Sequence, residues 1–127
     1  MKIWKLLPLL ILLLLVGCRQ QAQPTAEASL QIDLRTEPET PAVGASILII
    51  SVRDASGQPI NNAKVTARGD MNHAGMVPII ETVESGTDGE YSIGFEWEMA
   101  GDWLVEVTVE LVSGVTQTQT FDLLVEV

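Results

Sequence analysis

The 127 residues of the chain fall below the roughly 150 expected per domain, so the chain holds one compact domain plus whatever its ends carry. Seven Lys+Arg against 17 Asp+Glu give a net charge of −10, which weighs against nucleic acid, because phosphate binding needs clustered cations. One cysteine and one histidine exclude a disulfide scaffold and any four-ligand zinc knuckle of the Cys/His type.

The hydrophobic fraction of 46% averages two unlike parts. Residues 6–16 (LLPLLILLLLV) are almost purely aliphatic and follow Lys2 and Lys5. This stretch is too short for a bilayer span, which needs about 20 residues, and its positive flank and apolar centre read as an export signal covering residues 1–17. The segment closes on Leu15-Val16-Gly17-Cys18, which resembles the bacterial lipobox. That resemblance implies acylation of the Cys18 thiol, cleavage before it, and a protein anchored to a membrane by lipid on the extracytoplasmic side of a bacterial cell envelope. A free thiol after an ordinary signal or within a signal anchor is the alternative. By the same resemblance to lipoproteins of two-membrane bacteria, in which Asp after the cysteine points to retention in the inner membrane, Arg19 implies the outer one where two membranes exist. Because Lys2 and Lys5 are lost with the signal, five Lys+Arg remain against 17 Asp+Glu, and the exported part is net −12.

Residues 18–29 comprise the cysteine and a polar, small-residue tether without apolar periodicity (RQQAQPTAEAS). The folded domain is expected over 30–127. Its dominant period is two. Leu30, Ile32 and Leu34 alternate with polar residues; the nearly continuous run Ser46 to Val52 predicts a central strand; Ala63, Val65 and Ala67 alternate again. A weaker strand is expected over Val77 to Val83, interrupted by Pro78. Tyr91 to Trp97, Trp103 to Leu111 and Phe121 to Val125 complete seven. Gly-, Pro-, Ser- and Asp-rich turns separate them. Seven short alternating strands without a helical window predict an all-β, immunoglobulin-like β-sandwich of antiparallel strands. If successive strands reverse direction, the connections at 37–45, 70–77 and 98–102 share one end. Those at 55–59, 85–89 and 113–114 share the other, where the tether enters.

The first end carries the unusual residues. Met71, His73 and Met76 fall within six positions, and Met99, the remaining methionine of the exported part, lies in another connection at that end. Thioethers are soft donors that select Cu(I), and neutral imidazole suits copper in either state. The segment Met71-x-His73-x-x-Met76, with Met99 as a fourth donor or lid, is therefore a candidate copper(I) site without any thiol. The alternative is packing: methionine fills irregular gaps in cores, Met76 can simply begin a strand, and Met99 can cap the core. Trp97 and Trp103 read as core aromatics. Glu81, Glu84, Asp88, Glu90, Glu96, Glu98, Glu106 and Glu110 read as solvated charge on outward faces. A single histidine supports no catalytic triad, and no cleft is predicted around paired carboxylates, so the chain is not expected to be an enzyme.

Several of these residues carry a family resemblance. Asp54 and Gly57 before Pro59, Asn62-Ala63-Lys64-Val65, the Met- and His-bearing loop ending in Gly75-Met76, Gly89-Glu90-Tyr91, and Met99-Ala100-Gly101-Asp102-Trp103 resemble the YtkA-like domain, a small exported β-sandwich related to FixH-like proteins. The resemblance runs from Val52 through Val109, and its most specific part is the M-x-G-x-W segment. It implies a place near copper trafficking or respiratory oxidase assembly, with a copper chaperone or an oxidase subunit as partner. A metal-free envelope module that contacts another protein through the same loops is the competing functional reading.

Overall fold

The computed structural model describes residues 29–73 and 75–127. The signal, Cys18 and nearly all of the tether lie outside the described residues. Seven strands form: β1 (Gln31–Glu37), β2 (Gly44–Arg53), β3 (Lys64–Met71), β4 (Ile79–Val83), β5 (Glu90–Trp97), β6 (Gly101–Glu110) and β7 (Thr116–Val125). They make two antiparallel sheets, one ordered β1-β2-β5 and the other β4-β3-β6-β7. Among the described residues there is no helix. The chain is thus an all-β sandwich, as the alternation predicts. In the constant-type immunoglobulin arrangement the fourth strand joins the sheet of the first, second and fifth; here β4 instead pairs with β3.

Alternation builds the core directly, because successive side chains on a strand point to opposite faces. Tyr91, Ile93, Phe95 and Trp97 of β5 are buried while their neighbours are exposed, and Trp103, Val105, Val107 and Val109 of β6 repeat the pattern. Leu48, Ile50 and Val52 come from β2, and Val65 and Ala67 from β3. The central position of β2 agrees with its apolar run: Ile49, on the outward face between Arg35 and Ser92, is also buried. Trp97 packs edge-on to Trp103, ring centroids 5.1 Å apart, and tilted against Phe95 at 4.6 Å. Both tryptophans are core residues, as expected.

Four strands depart clearly from the expected bounds. One is β3, which is expected to end at Ala67 and runs on to Met71. The Pro38 that limits β1 leaves room for it to run to Glu37, and β4 starts only after Pro78. β7 begins five residues before Phe121, because Thr116 to Thr120 pair with Glu110 to Glu106 of β6. Threonine supports a strand by β-branching, yet Thr-Gln alternation carries no apolar signal.

The two ends separate as strand reversal requires. At the end where the chain enters β1, Gln117 clamps Leu30 with two hydrogen bonds, the Gln117 Nε2 amide donating to the Leu30 carbonyl at 2.7 Å and the Leu30 N–H donating to Gln117 Oε1 at 2.8 Å. The Tyr91 hydroxyl donates to the Ile60 carbonyl at 2.6 Å and accepts from the Ala63 N–H at 3.1 Å. The Gly86 N–H donates to the Asn61 carbonyl at 2.9 Å, and the Asn61 side chain accepts from the Gly89 N–H at 2.6 Å. Asp54 organises its own turn, its Oδ1 accepting from the backbone of Ser56 and Gln58 and from the Ser56 hydroxyl. At the opposite end the Val43 N–H donates to Glu126, tying the β1–β2 connection to the end of β7.

Candidate functional site

The opposite end is built around two connections from different parts of the chain. The first follows β3. Met71, expected on the loop, is the last residue of that strand: it pairs with Trp103 and is buried in the core. Its terminal methyl lies 2.9 Å from where a Cβ on Gly101 would stand. Gly101 is held at φ 129°, a left-handed conformation that glycine adopts without steric cost. The chain then turns, the His73 N–H donating to the Met71 carbonyl at 2.8 Å, and places His73 in solvent.

The second connection, 98–100, joins β5 to β6. It is fastened from below by Trp103, whose indole Nε1–H donates to the Met99 carbonyl at 2.9 Å. The M-x-G-x-W segment is thereby explained as one local device. The tryptophan is sunk in the core and holds the methionine's backbone, the glycine makes way for Met71, and the Met99 side chain is left 49% exposed.

Between these connections lies an open depression of about 660 Å³ lined by His73, Gly75, Met76, Val77, Glu98 and Met99. The structure therefore brings together His73, Met76 and Met99, three of the four expected donors, and does not bring Met71 into the lining. Met76 is half-buried and packs against the core with its inner side. Glu98, read from the sequence as outward solvated charge, is indeed exposed but also lines the depression. Nothing in linear spacing pairs Glu98 with His73, because their proximity arises only when the β3–β4 and β5–β6 connections meet at one end. Among the described residues no group of three or more His, Cys, Asp or Glu is placed to hold a metal ion. The donors that line the depression are the thioethers of Met76 and Met99, the His73 imidazole and the Glu98 carboxylate.

The family model for the YtkA-like domain matches residues 25–108. The chain belongs to the YtkA-like family. The match covers β1 through most of β6, and it includes every residue that lines the depression of this YtkA-like protein. Among solved structures, the YtkA-like chain is similar to the PmoD soluble domain from Methylocystis sp. ATCC 49242 (Rockwell), at 14% identity and a TM-score of 0.48, covering 77% of this chain and 91% of that one. A comparison with curated proteins yields no match.

Among the described residues, the remaining acidic side chains do not converge on a second site of this kind. Glu90 pairs with Arg35 at 3.3 Å across β2, and Asp70 with Arg68 at 3.5 Å along β3. Both pairs are substantially exposed, where such contacts are worth little. Asp54 has its carboxyl held below the ordinary carboxylate range, first by the Ser56 hydroxyl and then by the Gln58 N–H; it is a turn organiser at the end opposite the depression.

Proposed function

We propose that this YtkA-like protein is an exported, lipid-anchored copper-handling module that holds Cu(I) through His73, Met76 and Met99 and presents it to a copper chaperone or an oxidase subunit. One observation carries the reading. Two thioethers and the only imidazole of the chain line a single open depression at the end of the sandwich away from the point of chain entry. Two soft sulfurs and one neutral nitrogen suit Cu(I) and suit Zn(II), Mg(II) or Ca(II) poorly. Thioethers also carry no proton to lose, and they form no disulfide in an oxidising compartment. Met71 contributes packing rather than a sulfur ligand in this reading. The exposed Val77 on the rim of the depression gives a receiving protein an apolar contact, and the acidic surface favours a basic one.

The test is an anaerobic Cu(I) titration of the full chain against a competing chelator. Met76→Leu, Met99→Leu and His73→Ala are each expected to weaken binding by tenfold or more, whereas Met71→Leu, which keeps the core volume, leaves it unchanged. Wild-type affinity no tighter than that of the combined His73→Ala/Met76→Leu/Met99→Leu variant rejects the copper reading and leaves the metal-free interaction module in its place.

A further inference from the structure

We infer that Glu98 is the oxygen donor that lets the same depression hold copper in its oxidised form, so that the site accommodates both Cu(I) and Cu(II) with different subsets of its ligands. This rests on the copper reading above and extends it to a residue that the spacing of the methionines does not suggest. The argument is chemical. The donors lining the depression are two thioethers, one imidazole and one carboxylate. Cu(I) is satisfied by the sulfurs and the imidazole. Cu(II) is a harder ion that gains little from thioether sulfur and is better held by imidazole nitrogen and carboxylate oxygen. Without Glu98, oxidation of the bound ion would leave a single good ligand, His73, and the ion would be lost.

Position supports the assignment. Glu98 is the first residue after β5, adjacent in sequence to Met99, and the Trp103 hydrogen bond to the Met99 carbonyl fixes that short connection. The backbone that carries Glu98 is thus part of a braced turn, while His73 comes from the β3–β4 connection. Among the described residues Glu98 has no salt bridge and no side-chain hydrogen bond, so its oxygens are free to coordinate. Glu96, two residues earlier, lies on the outward face of β5 opposite Ala45 and does not line the depression. It carries the same charge nearby without access to the metal, and so serves as the control for a general electrostatic effect.

The consequence is thermodynamic. The ratio of the two affinities sets the reduction potential of the bound ion, and for a one-electron couple each tenfold change in that ratio moves the potential by about 59 mV. Glu98→Gln, nearly isosteric, is expected to weaken Cu(II) binding at least tenfold with Cu(I) affinity unchanged within twofold. The midpoint potential then rises by about 59 mV or more.

The experiment measures both affinities on the full chain, Cu(I) anaerobically and Cu(II) as the cupric ion alone, for wild type, Glu98→Gln, Glu98→Asp and Glu96→Gln, with Cu(II) electron paramagnetic resonance spectra of each. Selective loss of Cu(II) affinity in Glu98→Gln, with an altered spectrum, recovery in Glu98→Asp and no effect of Glu96→Gln, supports the assignment. Equal loss for both ions, no loss for either, or the same loss in Glu96→Gln overturns it. Wild type that binds Cu(I) but not Cu(II) defeats this inference while leaving the copper reading standing, whereas wild type that binds neither defeats both.

Discussion

Tyr91 shows how much of the sandwich is decided by one side chain. Its ring is buried and its hydroxyl bridges Ile60 and Ala63, joining β5 to the segment that leads into β3. Tyr91→Phe keeps the ring but leaves the part-buried Ile60 carbonyl and the buried Ala63 N–H without this partner, which costs about 1–3 kcal/mol. Burial raises the phenol above its ordinary value of 10.0, the Ala63 N–H opposing that rise in part. Because the folded state favours the neutral phenol, the associated stability is fully present below pH 10.0 and is lost as pH climbs through the raised folded value. The chain has one tyrosine, so tyrosinate absorbance in an alkaline titration reports Tyr91 directly. Denaturant unfolding near pH 8 and again above pH 10 should show wild type losing stability over that interval and Tyr91→Phe losing less. A variant as stable as wild type at pH 8 would mean that the bridge contributes nothing.

Among elements, β3 has the tightest constraint. Gly69 faces inward opposite Val105 and Ile79, and a Cβ there would stand 2.5 Å from the Phe95 ring tip and 3.5 Å from the Trp103 ring. The tighter contact, with Phe95 of β5, is with the far sheet, so β3 owes its close approach to the aromatic cluster to the missing side chain. Phe95 is itself wedged against Trp97 and has little room to yield. Gly69→Ala is expected to lower stability by about 1–3 kcal/mol through overpacking, despite alanine's lower unfolded-state entropy, and thermal unfolding followed by tryptophan fluorescence measures it. An unchanged or higher midpoint would show that the ring moves aside freely.

The same strand shows what sequence could and could not disclose. Apolar alternation locates five of the strands, because burial on one face of a sheet imposes period two; a nearly continuous apolar run locates β2, and a weaker series after Pro78 locates β4. The alternation stops β3 at Ala67, since Arg68-Gly69-Asp70 interrupts the apolar series, and so places Met71 in a loop when its side chain belongs to the core. Half of β7 was hidden for a related reason, its Thr and Gln being held by pairing with β6 rather than by burial. His73, Met76 and Met99 were legible as rare residues at one end. Glu98 was one carboxylate among many until two connections, 25 positions apart in the chain from His73, were folded against each other.

At the scale of the whole molecule, the arrangement separates the point of chain entry from the depression. The chain enters β1 at one end, and the depression lies at the other, beyond the seven residues of β1, which rise roughly 23 Å. If Cys18 is acylated, the depression faces away from the membrane. Two or more acyl chains hold a protein firmly where one is marginal, so attachment should rest on Cys18. Nothing that lines the depression precedes His73, and so loss of the anchor should not reach the site. Cys18→Ser is therefore expected to move the protein out of the membrane fraction while leaving its circular dichroism, unfolding midpoint and Cu(I) affinity as in wild type. Fractionation of cells expressing the variant, followed by the same titration on the released protein, checks both halves. If the variant stays in the membrane, residues 6–16 are holding it as an uncleaved signal anchor, and lipidation is not what fixes the protein in place. If it is released but binds Cu(I) more weakly, the anchored N-terminal segment contributes to the site, and attachment and metal binding are coupled through it.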